Sequence, residues 1–216
     1  MAPGSIRLAT LVFSLGLIVL TEISAWLVVQ HFGMVPLYAI GLVRLIQICG
    51  ILSGVVYLQN SLSAIGWSPS TWRKGIVWGA LWSMAFGAVV AIAMGLLYLS
   101  GTNPLAIVHS PLPSQPVQRL LFFIIGGLVA PLAEEICFRG VLYNYFRRWG
   151  VVAALIASTL LFVILHSVHG FPLTQLVGGI LFALSYEYSK NLMVPITIHA
   201  TGNLAIFTLS LPWLSS

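Results

Sequence analysis

Long apolar runs recur along the whole sequence, and they limit the chain to one class of fold. Hydrophobic residues make up 59% of the chain and charged residues only 6%, a composition that soluble domains of this length do not have. Runs that approach the ~20 residues needed to cross a bilayer cover about 8–30, 35–58, 76–99, 118–146, 151–168, 172–188 and 191–211. The sequence therefore predicts an all-α, polytopic integral membrane bundle of about seven transmembrane helices, forming one membrane domain.

The basic residues indicate how this bundle is oriented. If the N-terminus is cytoplasmic, the outer loops carry Arg119 alone, whereas all other loop lysines and arginines are on the inside. An excess of Lys and Arg marks the cytoplasmic side, so we expect the N-terminus inside and the C-terminus outside. The basic residues form no clustered face, so we expect no nucleic-acid partner. The inner residues are Arg7, Arg73, Lys74, Arg147, Arg148 and Lys190.

Two adjacent glutamates lie inside the fourth apolar run, in a chain with four acidic residues in all. A charge at membrane depth costs ~2.5–3.5 kcal/mol on insertion scales, so such residues are functional candidates. Glu135 and Arg139 are four apart, share a helix face and are expected to pair. Glu134 is turned about 100° away and is left free for chemistry. Pro131 precedes it and predicts a kink in this helix.

Histidines in two later runs are expected at the depth of the glutamates. Glu134 precedes Gly150, in the turn between the fourth and fifth runs, by 16 residues, and His166 follows it by 16. At ~1.5 Å per residue, both lie about 24 Å from that turn in an antiparallel hairpin. His199 and Asn203 are four apart in the last run and face the same way. The sequence thus predicts a site built from three transmembrane helices.

This set of side chains suits the hydrolysis of an amide bond. A buried carboxylate such as Glu134 can act as general base on water, and His166 can orient that water or carry its proton. His199 and the Asn203 amide can donate to a developing oxyanion. This mechanism requires no cofactor. Alternatively, Glu134, His166 and His199 could hold a zinc ion with an open position for water, and the residues alone leave both mechanisms open.

The motifs resemble those of the CPBP family of intramembrane proteases. This family includes the type II CAAX prenyl endopeptidases and the bacteriocin-processing and bacteriocin-immunity proteins. Its pattern is Glu-Glu-x-x-x-Arg, then Phe-x-x-x-His, then His-x-x-x-Asn, each on its own transmembrane helix. The resemblance covers about residues 60–210, and the three motifs occur here in the same order: Glu134-Glu135-x-x-x-Arg139, Phe162-x-x-x-His166 and His199-x-x-x-Asn203.

The resemblance implies a role for each residue at a matching position. Glu134 and His166 would activate the water, and His199 and Asn203 would stabilise the oxyanion. The family is usually described as glutamate-type, although some members have been discussed as metalloproteases; a metal would then be held by Glu134, His166 and His199. Two further residues would support the catalytic ones: Glu135 and Arg139.

The resemblance also implies an organisation and a substrate class. Residues 60–211 would form the catalytic core, and residues 1–59 would add two N-terminal transmembrane helices. The core would surround a water-filled cavity open towards the membrane, and the expected partners are the lipid bilayer and a membrane protein or a lipidated or tailed peptide substrate. Some bacterial members that resemble this chain process C-terminal sorting tails of exported proteins, which makes such a tail an expected substrate. The expected location is a bacterial inner (cytoplasmic) membrane.

Two other functions are compatible with parts of this pattern. A non-catalytic immunity or chaperone-like membrane protein could share the fold, but a binding role does not require all four site residues. A proton-coupled transporter could use Glu and His as a relay. The chain is small and shows no internal repeat of the kind that marks many transporters. The sequence therefore favours an intramembrane endopeptidase.

Other polar residues lie outside this constellation. Glu22 and Arg44, in the first and second runs, each lie 11 residues from Gly33, in the turn between them. We expect them to form a structural ion pair across the two helices. His169 follows His166 by three residues and is expected at the outer membrane interface.

Overall fold

A computed structural model of the chain describes residues 6–166 and 172–211, and its regular structure there is entirely helical. Short helical turns lie at Leu62–Ile65, Pro69–Thr71 and Leu105–Val108. The predicted position of His169 falls outside the described residues. The described part contains seven long helices: α1 (Leu8–Phe32), α2 (Pro36–Gln59), α3 (Trp72–Leu99), α4 (Pro116–Trp149), α5 (Val151–Leu165), α6 (Leu173–Ser189) and α7 (Met193–Ser210).

The lengths and compositions of these helices fit a membrane bundle. Five of them, α1, α2, α3, α4 and α7, are long and apolar enough to cross a membrane. Helices α5 and α6 are shorter, with 15 and 17 residues. The helices follow the predicted apolar runs closely, and the chain is an all-α integral membrane bundle, as the composition predicts.

Helix α4 lies at the centre of the bundle. It packs against α1, α2, α5, α6 and α7, whereas α3 packs mainly on α7. Every residue from Ile136 to Asn144 is buried, including Arg139 at 0% exposure. Many large apolar side chains of the surrounding helices are instead exposed, as expected for surfaces that face lipid. The two glutamates thus lie on the most enclosed helix of the structure.

Glycines allow the outer helices to approach closely. A Cβ at Gly54 of α2 would lie 2.4 Å from a ring carbon of Phe13 in α1. A Cβ at Gly79 of α3 would lie 2.5 Å from the Cβ of Thr197 in α7. Small residues at such contacts are the usual means of close helix packing in membranes. The second contact sets the position of α7, which carries His199.

Helix α4 is irregular on both sides of the glutamates. A regular turn, Ala130–Glu135, lies between two π-helical stretches, Ile125–Val129 and Ile136–Tyr143. The sequence predicts a kink at Pro131; the structure has widened turns before and after it. Proline has no N–H to donate to the preceding turn, so the regular hydrogen-bond pattern is interrupted there. Wide turns of this kind occur frequently at functional sites.

The segment between α2 and α3 packs into one end of the bundle. Ile65 is fully buried and lies against Gly140 of α4. The carbonyl oxygen of Gly66 accepts a hydrogen bond of 3.0 Å from the N–H of Leu192, just before α7. The linker therefore joins the first two helices to the part of the chain that carries the site motifs.

Candidate active site

Glu134 lies where three helices converge. Its Oε2 is 3.4 Å from Nε2 of His166 at the end of α5 and 3.7 Å from Nε2 of His199 on α7. The Glu134 side chain is 15% exposed and that of His166 is 29% exposed, so both are mostly buried but keep some accessible surface. The structure thus brings together these three residues, which the sequence predicts at one depth.

A backbone contact fixes the ring of His166. Its Nδ1 is 2.7 Å from the carbonyl oxygen of Phe162, one turn earlier. A carbonyl oxygen only accepts, so we assign the proton to Nδ1, which leaves Nε2 of the neutral ring as an acceptor. Nε2 faces the carboxylate of Glu134, which also accepts when it is ionised. A water molecule beside both groups can therefore donate one hydrogen to each of them.

Glu135 binds the ring nitrogen of His199 that faces away from Glu134. Nδ1 of His199 lies 2.8 Å from Oε1 of Glu135, and Nη1 of Arg139 donates to the same oxygen at 3.0 Å. Glu135 and Arg139 are both fully buried, and the pairing predicted from their spacing is observed. Nη2 of Arg139 also donates to the carbonyl oxygen of Gly179 at 3.1 Å. These bonds leave Nε2 of His199 directed towards Glu134.

Asn203 lies one turn beyond His199 on α7. Its Nδ2 donates a hydrogen bond of 2.8 Å to the carbonyl oxygen of Gly126, in the first π-helical stretch of α4. Within the described residues, no hydrogen bond joins Asn203 to Glu134 or to either site histidine. The amide therefore links α7 to α4 beside the site, and its expected contact with an oxyanion stays a prediction.

Helix α6 contributes two contacts that the sequence analysis did not identify. The carbonyl oxygen of Gly179 accepts from Arg139, as described above. The ring of Phe182 stacks on His199, with ring centroids 4.5 Å apart and an interplanar angle of 18°. The Gly178-Gly179 pair indicates a close helix approach. Nothing distinguishes Phe182 in the sequence from the other phenylalanines of an apolar run.

The second predicted ion pair lies at the edge of this group. Nη1 of Arg44 is 2.5 Å from Oε1 of Glu22 and 2.7 Å from Oε1 of Gln47. The predicted pairing across α1 and α2 is therefore confirmed. The side chains of Arg44 and Glu22 are 24% and 48% exposed, so this pair is far more open than Glu135 and Arg139.

A zinc site would need a suitable cluster of donors. In residues 6–166 and 172–211, no group of three His, Cys, Asp or Glu side chains has an arrangement that could hold a metal ion. Glu134, His166 and His199 are neighbours, but they do not form such a group in this structure. The metal-free and the zinc-assisted mechanisms therefore both stay predictions.

Comparisons with known proteins point to one family. Residues 116–205 match the family described as type II CAAX prenyl endopeptidase Rce1-like. The membrane-embedded CAAX protease MroQ of Staphylococcus aureus (strain USA300) is 31% identical to this chain over 132 residues. That match covers 56% of this chain and 51% of the relative, so the chain spans about half the length of the curated relative. No solved structure matches the chain significantly.

The matched segment contains every motif of the site. Glu134 and Asn203 are the first and last of the motif residues, and both lie within residues 116–205. The motifs occur on separate helices, and the side chains of the first two and part of the third meet at one point. The segment that carries the site is therefore similar to the Rce1-like CAAX prenyl endopeptidases and to a membrane-embedded CAAX protease.

Proposed function

We propose that this protein is an intramembrane endopeptidase that uses Glu134 and His166 to activate water. The observation that carries the proposal is the approach of the Glu134 carboxylate to two imidazole nitrogens, at 3.4 and 3.7 Å, in the centre of a membrane bundle. Charged and titratable groups at such depth are costly and usually serve a function. A carboxylate and two imidazoles around one point can supply the general base and the proton donors for water-mediated amide hydrolysis.

The first step activates the nucleophile. A water molecule donates one hydrogen to Oε2 of Glu134 and one to Nε2 of His166. Glu134 takes the first proton as the water oxygen forms a bond to the carbonyl carbon of the peptide. His166 keeps the water oriented, because its Nδ1 is fixed at 2.7 Å from the carbonyl oxygen of Phe162. Positioning of this kind contributes much of the rate of such a reaction.

The second step stabilises the tetrahedral intermediate and resolves it. When His199 carries both protons, Nδ1 donates to Glu135 and Nε2 donates to the oxyanion. The free hydrogen of the Asn203 amide is a second donor on the same helix face. The proton held by Glu134 then passes to the leaving nitrogen as the carbon–nitrogen bond breaks. The products are a carboxyl group and an amine, and Glu134 returns to its ionised form.

The proposed substrate is a membrane-associated or C-terminally tailed protein, cleaved in a bacterial cytoplasmic membrane. The relative with 31% identity is named as a membrane-embedded CAAX protease. A substrate must reach a side chain that is only 15% exposed, within a bundle surrounded by apolar surfaces. A peptide segment that already lies in or on the bilayer reaches such a site without first leaving water.

Cleavage by the reconstituted protein tests this proposal. We would follow a library of tailed membrane substrates in liposomes with the wild type, Glu134→Ala, His166→Ala and Glu135→Ala. We expect cleavage by the wild type and its loss in Glu134→Ala and His166→Ala, with folding retained. Glu135→Ala is expected to lose both activity and stability, because it removes a fully buried partner of Arg139. An inert wild type across the library would contradict the proposal.

Further measurements distinguish this proposal from a zinc-assisted mechanism, a transporter and a non-catalytic protein. A zinc chelator should leave the activity unchanged if water is activated by Glu134 and His166 alone, whereas a loss restored by zinc would favour the metal-assisted mechanism. Proton flux into the same liposomes tests the transporter function, for which a flux abolished by Glu134→Ala without any cleavage would be decisive. A cellular phenotype that persists in Glu134→Ala would favour the non-catalytic function.

A further inference from the structure

Three phenylalanine rings enclose the buried group behind the proposed catalytic carboxylate. The guanidinium carbon of Arg139 lies 4.9 Å from the ring centroid of Phe162, 5.1 Å from that of Phe182 and 5.7 Å from that of Phe138. Cation–π contacts of this kind strengthen when the cation is removed from water, and Arg139 is fully buried. The three rings therefore pack around the guanidinium of the fully buried ion pair that holds His199.

Phe182 has a contact with this group that the other two rings lack. It stacks nearly parallel on the imidazole of His199, at 4.5 Å and 18°, whereas Phe162 meets that imidazole edge to face at 5.8 Å and 74°. Phe182 also touches Arg139, and both His199 and Arg139 bond to Oε1 of Glu135. The phenyl ring thus covers two groups that share one carboxylate oxygen.

We propose that Phe182 is a positioning residue for the reaction: its ring fixes the plane of the His199 imidazole so that Nε2 points at the reacting atoms. This inference rests on the proposed endopeptidase function. Phe182 belongs to none of the three motifs, and it acts through His199 without contacting the substrate itself.

The geometry of His199 explains why a second restraint matters. The bond from Nδ1 to Glu135 fixes one nitrogen at 2.8 Å, but the imidazole can still tilt about that bond. A tilt displaces Nε2, which lies on the far side of the ring, 3.7 Å from Oε2 of Glu134. A flat aromatic face stacked on the imidazole restricts this tilt, and offset stacking is a favourable arrangement for two such rings. A leucine in place of Phe182 would fill much of the same space but would supply no flat aromatic face for the imidazole.

The position of Phe182 on α6 is itself constrained. Gly179, one turn earlier, lies so close to α5 that a Cβ there would be 2.9 Å from Cγ2 of Thr159. The carbonyl of the same glycine accepts from Arg139. Helix α6 is therefore fixed against both α5 and α4 next to Phe182, which is 8% exposed. A ring carried on such a helix is a rigid support for its neighbour.

The test compares steady-state kinetics of Phe182 variants on a tailed membrane substrate that the wild type cleaves in liposomes. We expect Phe182→Leu to lower kcat by about 10–100-fold, the usual effect of removing a residue that orients a functional side chain, with KM unchanged within about twofold. Phe182→Tyr, which keeps the ring, should retain wild-type kcat within about threefold on the same reasoning. Loss of packing alone would lower the amount of folded protein without this pattern.

Phe146→Leu is the matched control. Phe146 is a half-buried phenylalanine of α4 that contacts Tyr145 and Trp149 near the C-terminal end of that helix, away from the site. It should lose stability and keep kcat. If Phe182→Leu does not fold, Phe182→Met carries the test with the same expected loss, because methionine adapts to irregular space.

The outcomes distinguish this inference from the proposed function. An inert wild type contradicts the endopeptidase function itself. A wild type that cleaves, together with a folded Phe182→Leu of undiminished kcat, overturns only the role of Phe182. An equal loss of kcat in Phe146→Leu would also overturn it, since the effect would then follow from packing in general.

Discussion

Two of the three glutamate–arginine pairs in the described residues differ in almost every respect but their chemistry. Glu135 and Arg139 are one turn apart on α4, 0% exposed, and joined at 3.0 Å. Glu22 and Arg44 join α1 to α2 at 2.5 Å, with side chains 48% and 24% exposed. In the first pair, the carboxylate also binds a histidine and the guanidinium a backbone carbonyl. In the second pair, the shared third partner is a glutamine side chain.

The difference shows how burial changes the hydrogen-bond partners that a charged pair needs. A fully buried pair has no water to bind, so Glu135 and Arg139 take hydrogen-bond partners from α7 and α6, and only Oε2 of Glu135 and Nε of Arg139 lack one within the described part of the chain. A half-exposed pair keeps contact with water or headgroups, so it can bind two helices together without fixing a third. The same two residue types therefore position the candidate site in α4 and only join two helices in α1 and α2.

Removal of the arginine should give the largest difference in stability loss between the two pairs. Arg139→Met leaves the buried charge of Glu135 without its arginine, with only the hydrogen bond from His199, and we expect a loss of about 3–5 kcal/mol in the free energy of unfolding. Arg44→Met should cost about 1 kcal/mol or less, because Glu22 stays half exposed and keeps its 3.1 Å bond from Gln47. Unfolding in mixed micelles with increasing denaturing detergent measures both. Equal losses in the two variants would contradict the comparison.

Neutralisation of Glu135 tests whether the buried pair serves the site as well as the fold. Glu135→Gln keeps the size of the side chain and an oxygen that can accept from Nδ1 of His199, but it removes the charge. We expect kcat to fall about 10–100-fold, because the orienting partner of a functional histidine is weakened. Steady-state cleavage in liposomes gives the value, with KM as the internal control. Full activity in a folded Glu135→Gln would assign the pair to structure alone.

Substitutions in the exposed pair, Glu22 and Arg44, should have the smallest effect on the free energy of unfolding. Glu22→Gln and Arg44→Gln should each cost about 1 kcal/mol or less, and the double variant should cost no more than either single one, since no charge is then left without its partner. A double-variant cycle on the free energy of unfolding measures this coupling. Additive losses would mean that the two residues act independently despite their 2.5 Å contact.

Local relations are the part of this structure that the sequence predicts well. The fourth apolar run, predicted at 118–146, is the helix Pro116–Trp149, because hydrophobic length is a property of the chain alone. The pairing of Glu135 with Arg139 follows from helical spacing, and the equal depth of Glu134 and His166 follows from equal distances to one turn.

Relations between distant helices are the part that the sequence does not reveal. The bond from Asn203 to the carbonyl of Gly126 joins residues 77 apart, and its partner is a backbone atom that every residue has. The π-helical stretches of α4 depend on how the surrounding helices pack, beyond what Pro131 alone predicts. Phe182 is one phenylalanine among 11, and only its contact with His199, seen in the structure, distinguishes it from the others.

The most direct test of the central claim compares two glutamine substitutions of intramembrane glutamates. Glu134→Gln and Glu22→Gln each remove one negative charge from the same bundle, and both would be assayed for cleavage of a tailed membrane substrate in liposomes. We predict a rate reduced by about 10²–10⁴-fold for Glu134→Gln, the range expected for loss of a general base, and a rate within a few-fold of wild type for Glu22→Gln. Similar rates in the two variants, with both folded, would contradict the assignment of Glu134 as the base.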